Sequence, residues 1–543
     1  MTAKEATSAC DASSPAEVVT GEPLAPYLTC TEGKAGGCEP GAIRFLNVAD
    51  GELVHQRFLI VHGQVGGQKG SEGTVVVHHP DFSALEFPAV DGYFKALAHL
   101  DSGSNKLTFE YRMDGRTVGT KTLAVQMAPI ADRSPLQLAV LVGSDSAETF
   151  DAPEGARGPG LNDLDAAVRK VRCAAYMWQA FIAEHMYRHG FGRRTFSLEE
   201  EIAPDTMDSD GRSRMTARVH VVRSKYTVAE IQAREIAQQH RVPDKNIEPK
   251  ADDLLEMHIK DIKANTAFGR NCAVACLTLD SHWDPESQII LGHSGICQPE
   301  REQKVGIFGS HTTHAWPASA AEIVTKFFDT TPTDTTVLAN DCNESGEHCK
   351  AANIGIGAFL HMVCYLMSAG GATKGFVRRG YSDFSRAFLA KVPGHAEPIT
   401  QDDEGRAYLH RPNALGMRHD RRLAMPGDAP FANTIGPNSV GSVKDTVEII
   451  SNDGVVAIEV HVNDRFRAHL EYTEENWSRR QSGQIAAAAD EASAAFPTRI
   501  SLSCARLREL VGETAADDHV CLVVRSRGCT REIRKDLRTL VDL

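Results

Sequence analysis

The chain has no apolar run approaching the ~20 residues that span a bilayer. Its N-terminal stretch, MTAKEATSACDASSPAE, has no apolar core of a secretion signal. Neither a membrane-spanning nor a secreted protein is expected from this; a cytoplasmic or nuclear one is. Positive charge is the scarcer sign. Lys plus Arg number 58 against 72 for Asp plus Glu, a net charge of −14, which argues against broad binding to nucleic-acid phosphates. No internal repeat and no coiled-coil heptads are found. The 13 cysteines are odd in number and scattered from Cys10 to Cys529, so reduced thiols are expected rather than a disulfide framework. What is present is ordinary for a soluble globular protein, 42% hydrophobic and 24% charged in 543 residues. That length allows two to four domains.

The most informative stretch is NIGIGAFLHMVCYLMSAGGATKGFVRRGY, from Asn353 to Tyr381. Ile354, Ile356, Phe359, Leu360, Val363, Leu366 and Met367 surround a helix on nearly every side, so it should be buried. A left-handed cap is expected at Gly370 and Gly371. His361 is the polar side chain in its middle. Zinc peptidases place His at i, Glu at i+1 and His at i+4 on such a helix: the imidazoles grip the metal and the carboxylate activates water. Here His361 is followed by Met362, and Tyr365 stands at i+4.

In chain order, residues 1–40 are expected to be a disordered tail. Residues 41–135 contain short β-rich segments punctuated by Gly, Asp, Asn and Ser, which reads as an antiparallel sandwich-like domain. The run LQLAVLV, Leu136 to Val142, suits a strand buried on both faces. A long helix follows from an N-cap at Asn162 to Gly190. Next come a strand at 216–222, a helix at 228–239, and strands at 272–279 and 305–308. This alternation predicts an α/β layer with a largely parallel sheet over 136–393. Residues 394–440 read as surface loops. Residues 441–543 read as a small β domain, with a helical or disordered insertion at 478–496.

Other constellations are weaker. His282, His293, His311 and His314 fall close together in sequence, with Asp280, Asp284 and Asp334, and could make a displaced metal site. Bracing of loops at strand ends is the plainer account. Cys342, Cys349, His348 and Asp341 form DCNESGEHC, but the spacing is not CxxC. Cys364 lies three residues after His361 and reads as a core thiol. Gly355 and Gly357 lack the third glycine of a nucleotide fingerprint, so close helix packing explains them. Arg193 and Arg194 read as a helix-end charge pair, and Glu199 to Glu201 as a solvated face.

Many segments together resemble one family. They include LVHQRFLIVHG from Leu53, DGYFKALAHL, AAYMWQAFIAEHMYRHGFGRRTFSLEEE, VHVVRSKYTVAEI, LTLDSHWDPES, GIFGSHTTHAWP, DTTPTDTTV and NIGIGAFLH. They are similar to the eukaryotic "putative zinc metallopeptidase" family, whose members carry an HEXXHxxGxxH-type motif and sometimes a jacalin-like domain. The likeness covers roughly residues 45 to 470. It implies a zincin-like central domain, flanked here by N- and C-terminal β-rich domains, and a zinc peptidase site. His361 aligns with the first ligand. Met362 stands at the general base, Tyr365 at the second ligand, Ser368 at the motif's glycine and Gly371 at the third ligand. The downstream Gly-Ile-Met corresponds to Gly375, Phe376 and Val377. The leading expectation is a pseudopeptidase that binds a protein or peptide partner and holds no cofactor. The alternative is an active zinc hydrolase with its metal relocated to His282, His293, His311 and His314. A third reading is a structural subunit that binds through its outer β domains.

Overall fold

The apolar run Leu136–Val142 is buried along its whole length in a computed structural model of the protein. Residues 18–20, 41–66, 72–131, 133–240, 251–299, 302–371, 374–428, 439–452, 454–472, 496–515, 518–527 and 533–539 are described. The expected tail lies outside these residues except for Val18–Thr20, which form a strand paired with Arg465–Glu471. The 478–496 insertion lies outside them except for Phe496.

The fold is mixed α/β with several sheets and few helices. Five strands form the central sheet in the order Val219–Arg223, Leu136–Val142, Ala273–Thr278, Lys304–Gly309 and Ile296–Gln298. The first four are parallel and the last is an antiparallel edge. Val140 sits between Val221 and Leu277 in this register. The three inner strands are buried on both faces, as continuous apolar runs require.

The long helix spans Leu164–Arg188 and is capped by Asp163, whose carboxylate accepts the Ala166 N–H. The expected cap, Asn162, instead accepts from Gly158 N and donates to Phe150 O. The helix expected at 228–239 shrinks to Val228–Ile231, because Ala233 leaves helical geometry at ψ 126°. An unexpected helix covers Ala251–Ala264. Its Leu254, Leu255, Ile259 and Ile262 recur at helical spacing and pack in one core with Val274 and Cys276.

The central helix is His348–Leu366. By length and composition it could cross a membrane, but 78% of that stretch is buried inside the protein. Its glycines permit close approach: a methyl on Gly355 would stand 2.0 Å from Thr312 Oγ1, and one on Gly357 2.7 Å from Tyr381 Cβ. After the helix, left-handed geometry falls on Ser368 (φ 63°) and Gly370 (φ 66°), not on Gly371.

Eight strands between Ile43 and Met127 form one sheet rather than a two-layer sandwich. That sheet curls. Gly41, beside its first strand, approaches Gly119 so closely that a methyl on Gly119 would meet Gly41 O at 1.8 Å.

The chain divides into two compact units. The larger is Tyr27–Leu366 with Gly375–Leu409, and holds both sheets above. The smaller is Met1–Pro26, Met367–Lys374 and His410–Leu543. It contains a five-stranded antiparallel sheet, a three-stranded sheet and the helix Cys504–Val511. Within it, Arg525 donates to the Ala369 and Gly371 carbonyls at 3.0 and 2.8 Å, and Asn413 Nδ2 donates to Ala369 O at 2.7 Å. These bonds tie the segment after the central helix to the C-terminal β unit.

A buried charge network ties the larger unit together. Lys95 donates to Glu404 at 2.6 Å, with side chains 0% and 2% exposed. Arg188 reaches Glu404 at 2.7 Å and Glu184 at 3.0 Å, and Arg193 reaches Glu184 at 2.7 Å. Arg193 is therefore more than a helix-end charge: it is buried and also holds Glu52 and Asn47 O. Glu199 and Glu200 likewise bond His220 and Arg57 rather than water alone. Removing one member of such a network leaves buried charge unpaired. Glu404→Gln should lower stability by about 3–5 kcal/mol, measured by urea denaturation followed through tryptophan fluorescence. A loss below about 1 kcal/mol would mean that the network is solvated.

Candidate metal centre

His361 lies on the central helix, partly buried, with its Nδ1 enclosed and without a hydrogen-bond partner. Burial pushes its imidazole down to about 4, opposed by a main-chain hydrogen bond to Phe376. Its ring contacts Tyr365 at 5.0 Å and Tyr381 at 5.8 Å. Met362, which the resemblance aligns with the base, packs over the sheet: a methyl on Gly306 would stand 3.3 Å from its Cβ. Cys364 is fully buried, and burial pushes its thiol far up, away from the thiolate a metal needs.

The histidines from 282 to 314 do not form one site. His282 is exposed and bonds Asp151 at 2.9 Å, which raises its pKa. His314 is buried, neither of its ring nitrogens has a hydrogen-bond partner, and its ring stands edge-on to His348 at 5.2 Å. Burial first, then the charges of His348 and Lys170, push it down to about 3. Asp280 accepts the Gly143 N–H at 2.7 Å, Asp284 accepts Ser287 Oγ at 2.5 Å, and Asp334 accepts Thr336 Oγ1 at 2.7 Å. All three carboxylates therefore serve loop geometry.

The fold does bring His293 and His311 together, and adds Asp341. The imidazole centres are 4.4 Å apart, and His311 Nε2 lies 3.2 Å from Asp341 Oδ2. His293 Nδ1 accepts the Gly309 N–H at 3.1 Å, and burial pushes the ring down to about 3. Burial would raise Asp341, but the hydrogen bond and charge of His311 hold it well below the usual carboxylate range. Linear spacing could not reveal Asp341 as a partner: it lies thirty residues beyond His311, at the start of the 341–349 cysteine loop. In that loop Cys342 is exposed, Cys349 is buried, and both are free thiols. An open cleft of about 340 Å³ lies elsewhere, lined by Phe82, Leu85, His99, Met207, Asp208 and Ser319 among others.

Residues 42–460 match the model of the family described as "Putative peptidase family". The chain belongs to that family. A protein named "Putative zinc metalloproteinase" in Schizosaccharomyces pombe is 33% identical over 441 residues, covering 78% of this chain and 67% of that protein. Another so named in Saccharomyces cerevisiae is 32% identical over 453 residues, covering 79% and 63%. The chain thus spans about two thirds of the length of these relatives. Among solved structures, an engineered protein is 24% identical over 17% of this chain and 20% of its own, with a TM-score of 0.14, too low to bear on the fold.

The zinc in those relatives' names can be tested against the helix here. Catalytic zinc takes three protein ligands and a water. Positions 361, 362, 365 and 371 supply one imidazole, a thioether, a phenol and no side chain. A phenol with an ordinary pKa of about 10 is a poor ligand. These residues do not fit the metal, and no step is derived through it.

Lys170, beside His314, offers a test of the buried chemistry in this region. It is 5% exposed, and its Nζ donates to Trp316 O at 2.7 Å and His314 O at 3.4 Å. Burial, then the charge of Lys326, pushes it down to about 7. In the unfolded chain the lysine keeps its proton up to its ordinary value of 10.5. Between about pH 7 and 10.5 the unfolded state binds more protons, so this group makes stability rise with pH. Lys170→Met should remove that rise. Wild type should gain on the variant between pH 7 and about 9.5 in urea unfolding; parallel curves would refute the assignment.

Proposed function

We propose that this chain is a metallopeptidase-family protein that does not hydrolyse peptide bonds at its central helix, and that it acts by binding a protein or peptide partner. The observation that carries this reading is Met362. It occupies the general-base position, is only 9% exposed, and has a thioether that cannot accept a proton from water. Tyr365 and Gly371 at the two further ligand positions support the same conclusion. The zincin-like character of the larger unit rests on the family match and on the central helix packing against the sheet. The partner is read as a protein or peptide because the family's description and the relatives' names are those of peptidases. The net charge of −14 disfavours a nucleic acid.

One observation favours relocated hydrolysis: His293 and His311 meet beside Asp341. Their burial weighs against it, since the three residues are 4%, 0% and 6% exposed and a substrate carbonyl has no path to them.

The test is peptide turnover. The zinc-supplemented protein is expected to show no chelator-sensitive cleavage of an unbiased peptide mixture, and His361→Ala should match wild type at background. Cleavage abolished both by chelator and by His361→Ala would refute the proposal.

A further inference from the structure

We propose that His293, His311 and Asp341 form a site for one divalent transition-metal ion of the zinc class, held as a structural clasp. The three residues come from separate segments of the larger unit. His293 follows the strand Ile289–Leu291, His311 follows Lys304–Gly309, and Asp341 opens the turn Asp341–Asn343. One ligand atom from each lies within 4.8 Å of the others. The 3.2 Å between His311 Nε2 and Asp341 Oδ2 is close to the roughly 3.3 Å expected for two ligands about 2.1 Å from a tetrahedral centre. Two imidazole nitrogens and one carboxylate oxygen are a zinc-class donor set.

Two features of the site call for a cation. Among the described residues, Asp341 has His311 as its ion-pair partner and no lysine or arginine, so its buried charge is answered by imidazoles and the Cys342 thiol and by no fixed cation. Directly after Asp341, Cys342 and Asn343 take φ of 57° and 56°. Two successive left-handed non-glycine residues are strained, and a ligated Asp341 would hold the turn in that form. His293 ligates through Nε2 with the Gly309 N–H bond to Nδ1 kept, or through Nδ1 with that one neutral hydrogen bond exchanged for a metal bond. The burial of all three residues makes the site structural.

The site stands whether or not the central helix hydrolyses peptides. Its test is titration of the metal-stripped full chain with Co²⁺, read by the visible d–d bands of four-coordinate cobalt and by the melting temperature. Wild type should bind about one equivalent and melt higher when loaded. His311→Gln and Asp341→Asn, each checked for folding by circular dichroism, should weaken binding by about tenfold or more, since even an outer partner of a ligand is worth 10–100-fold. His282→Ala and His361→Ala should bind like wild type. Less than about a tenth of an equivalent in wild type, unchanged binding in a folded His311→Gln or Asp341→Asn, or loss of binding in His361→Ala would overturn the site. Should one variant fail to fold, wild-type stoichiometry and the other variant decide. Peptide cleavage lost in His361→Ala would refute the proposed function and leave this site untouched.

Discussion

A helix that is apolar on every side must be covered on every side, and much of the larger unit answers that requirement. His348–Leu366 buries Ile354, Ile356, Phe359, Leu360 and Val363. The central sheet covers one flank, where Gly306 leaves room for Met362 and Leu366. The long helix contributes Trp178, whose Nε1 donates to Ile356 O at 3.0 Å and whose ring stands edge-on to Phe359. Gly355 lets Thr312 and Trp316 press against the helix backbone, and Gly357 admits Tyr381. The same contacts fix the segment carrying His311 and His314. Side chains around Gly355 therefore support both places where a metal could be sought.

Charge is buried in this protein chiefly where it is answered. Glu184 and Glu404 face Arg188, Arg193 and Lys95 in the larger unit. In the smaller unit Glu459 meets Arg525 at 2.5 Å, and Glu471 meets Arg411 at 2.5 Å. Such pairs add little net stability over an apolar core of the same shape, because desolvation offsets the attraction. They do fix which elements meet. Lys95 comes from a strand of the curled sheet, Arg188 from the long helix, and Glu404 from a loop more than two hundred residues later. A misdocked loop would leave charge stranded, so the network discriminates between packings more than it deepens one of them. Asp341 stands apart from this pattern, since its partner is an imidazole.

Strands were the most legible part of the chain. Continuous apolar runs such as Leu136–Val142 announce burial on both faces, and the C-terminal strands follow their β-rich segments closely. The weaker helices were less legible. Val228–Ile231 begins with a capping box at Thr227 and Glu230, and the residues after it read as helical although the backbone turns away at Ala233. The buried networks were not legible at all. Arg193 reads in sequence as a helix-end charge and Glu200 as part of a solvated face, because their partners, Glu52, Glu184 and Arg57, are chosen by tertiary contact. The helix site divides the same way. The losses at Met362, Tyr365 and Gly371 are read directly from the residues, whereas the meeting of His293 and His311 with Asp341 depends on where three loops end.

That difference in origin also bears on what a metal could do at each place. A motif at i and i+4 draws its first two ligands from one helical turn, so most of its geometry exists once that turn forms. Its value is chemical, and Met362 and Tyr365 supply neither the carboxylate nor the second imidazole, whereas the helix packs without either. A site assembled from three separate loops has no geometry in the unfolded chain. Binding there discriminates sharply between folded and unfolded states, and the free energy of ligation becomes free energy of folding. A central helix carrying one imidazole and a buried His-His-Asp cluster are thus compatible within one chain. Under the two proposals the helix serves packing, and the cluster would hold loop ends against the sheet on which the central helix rests.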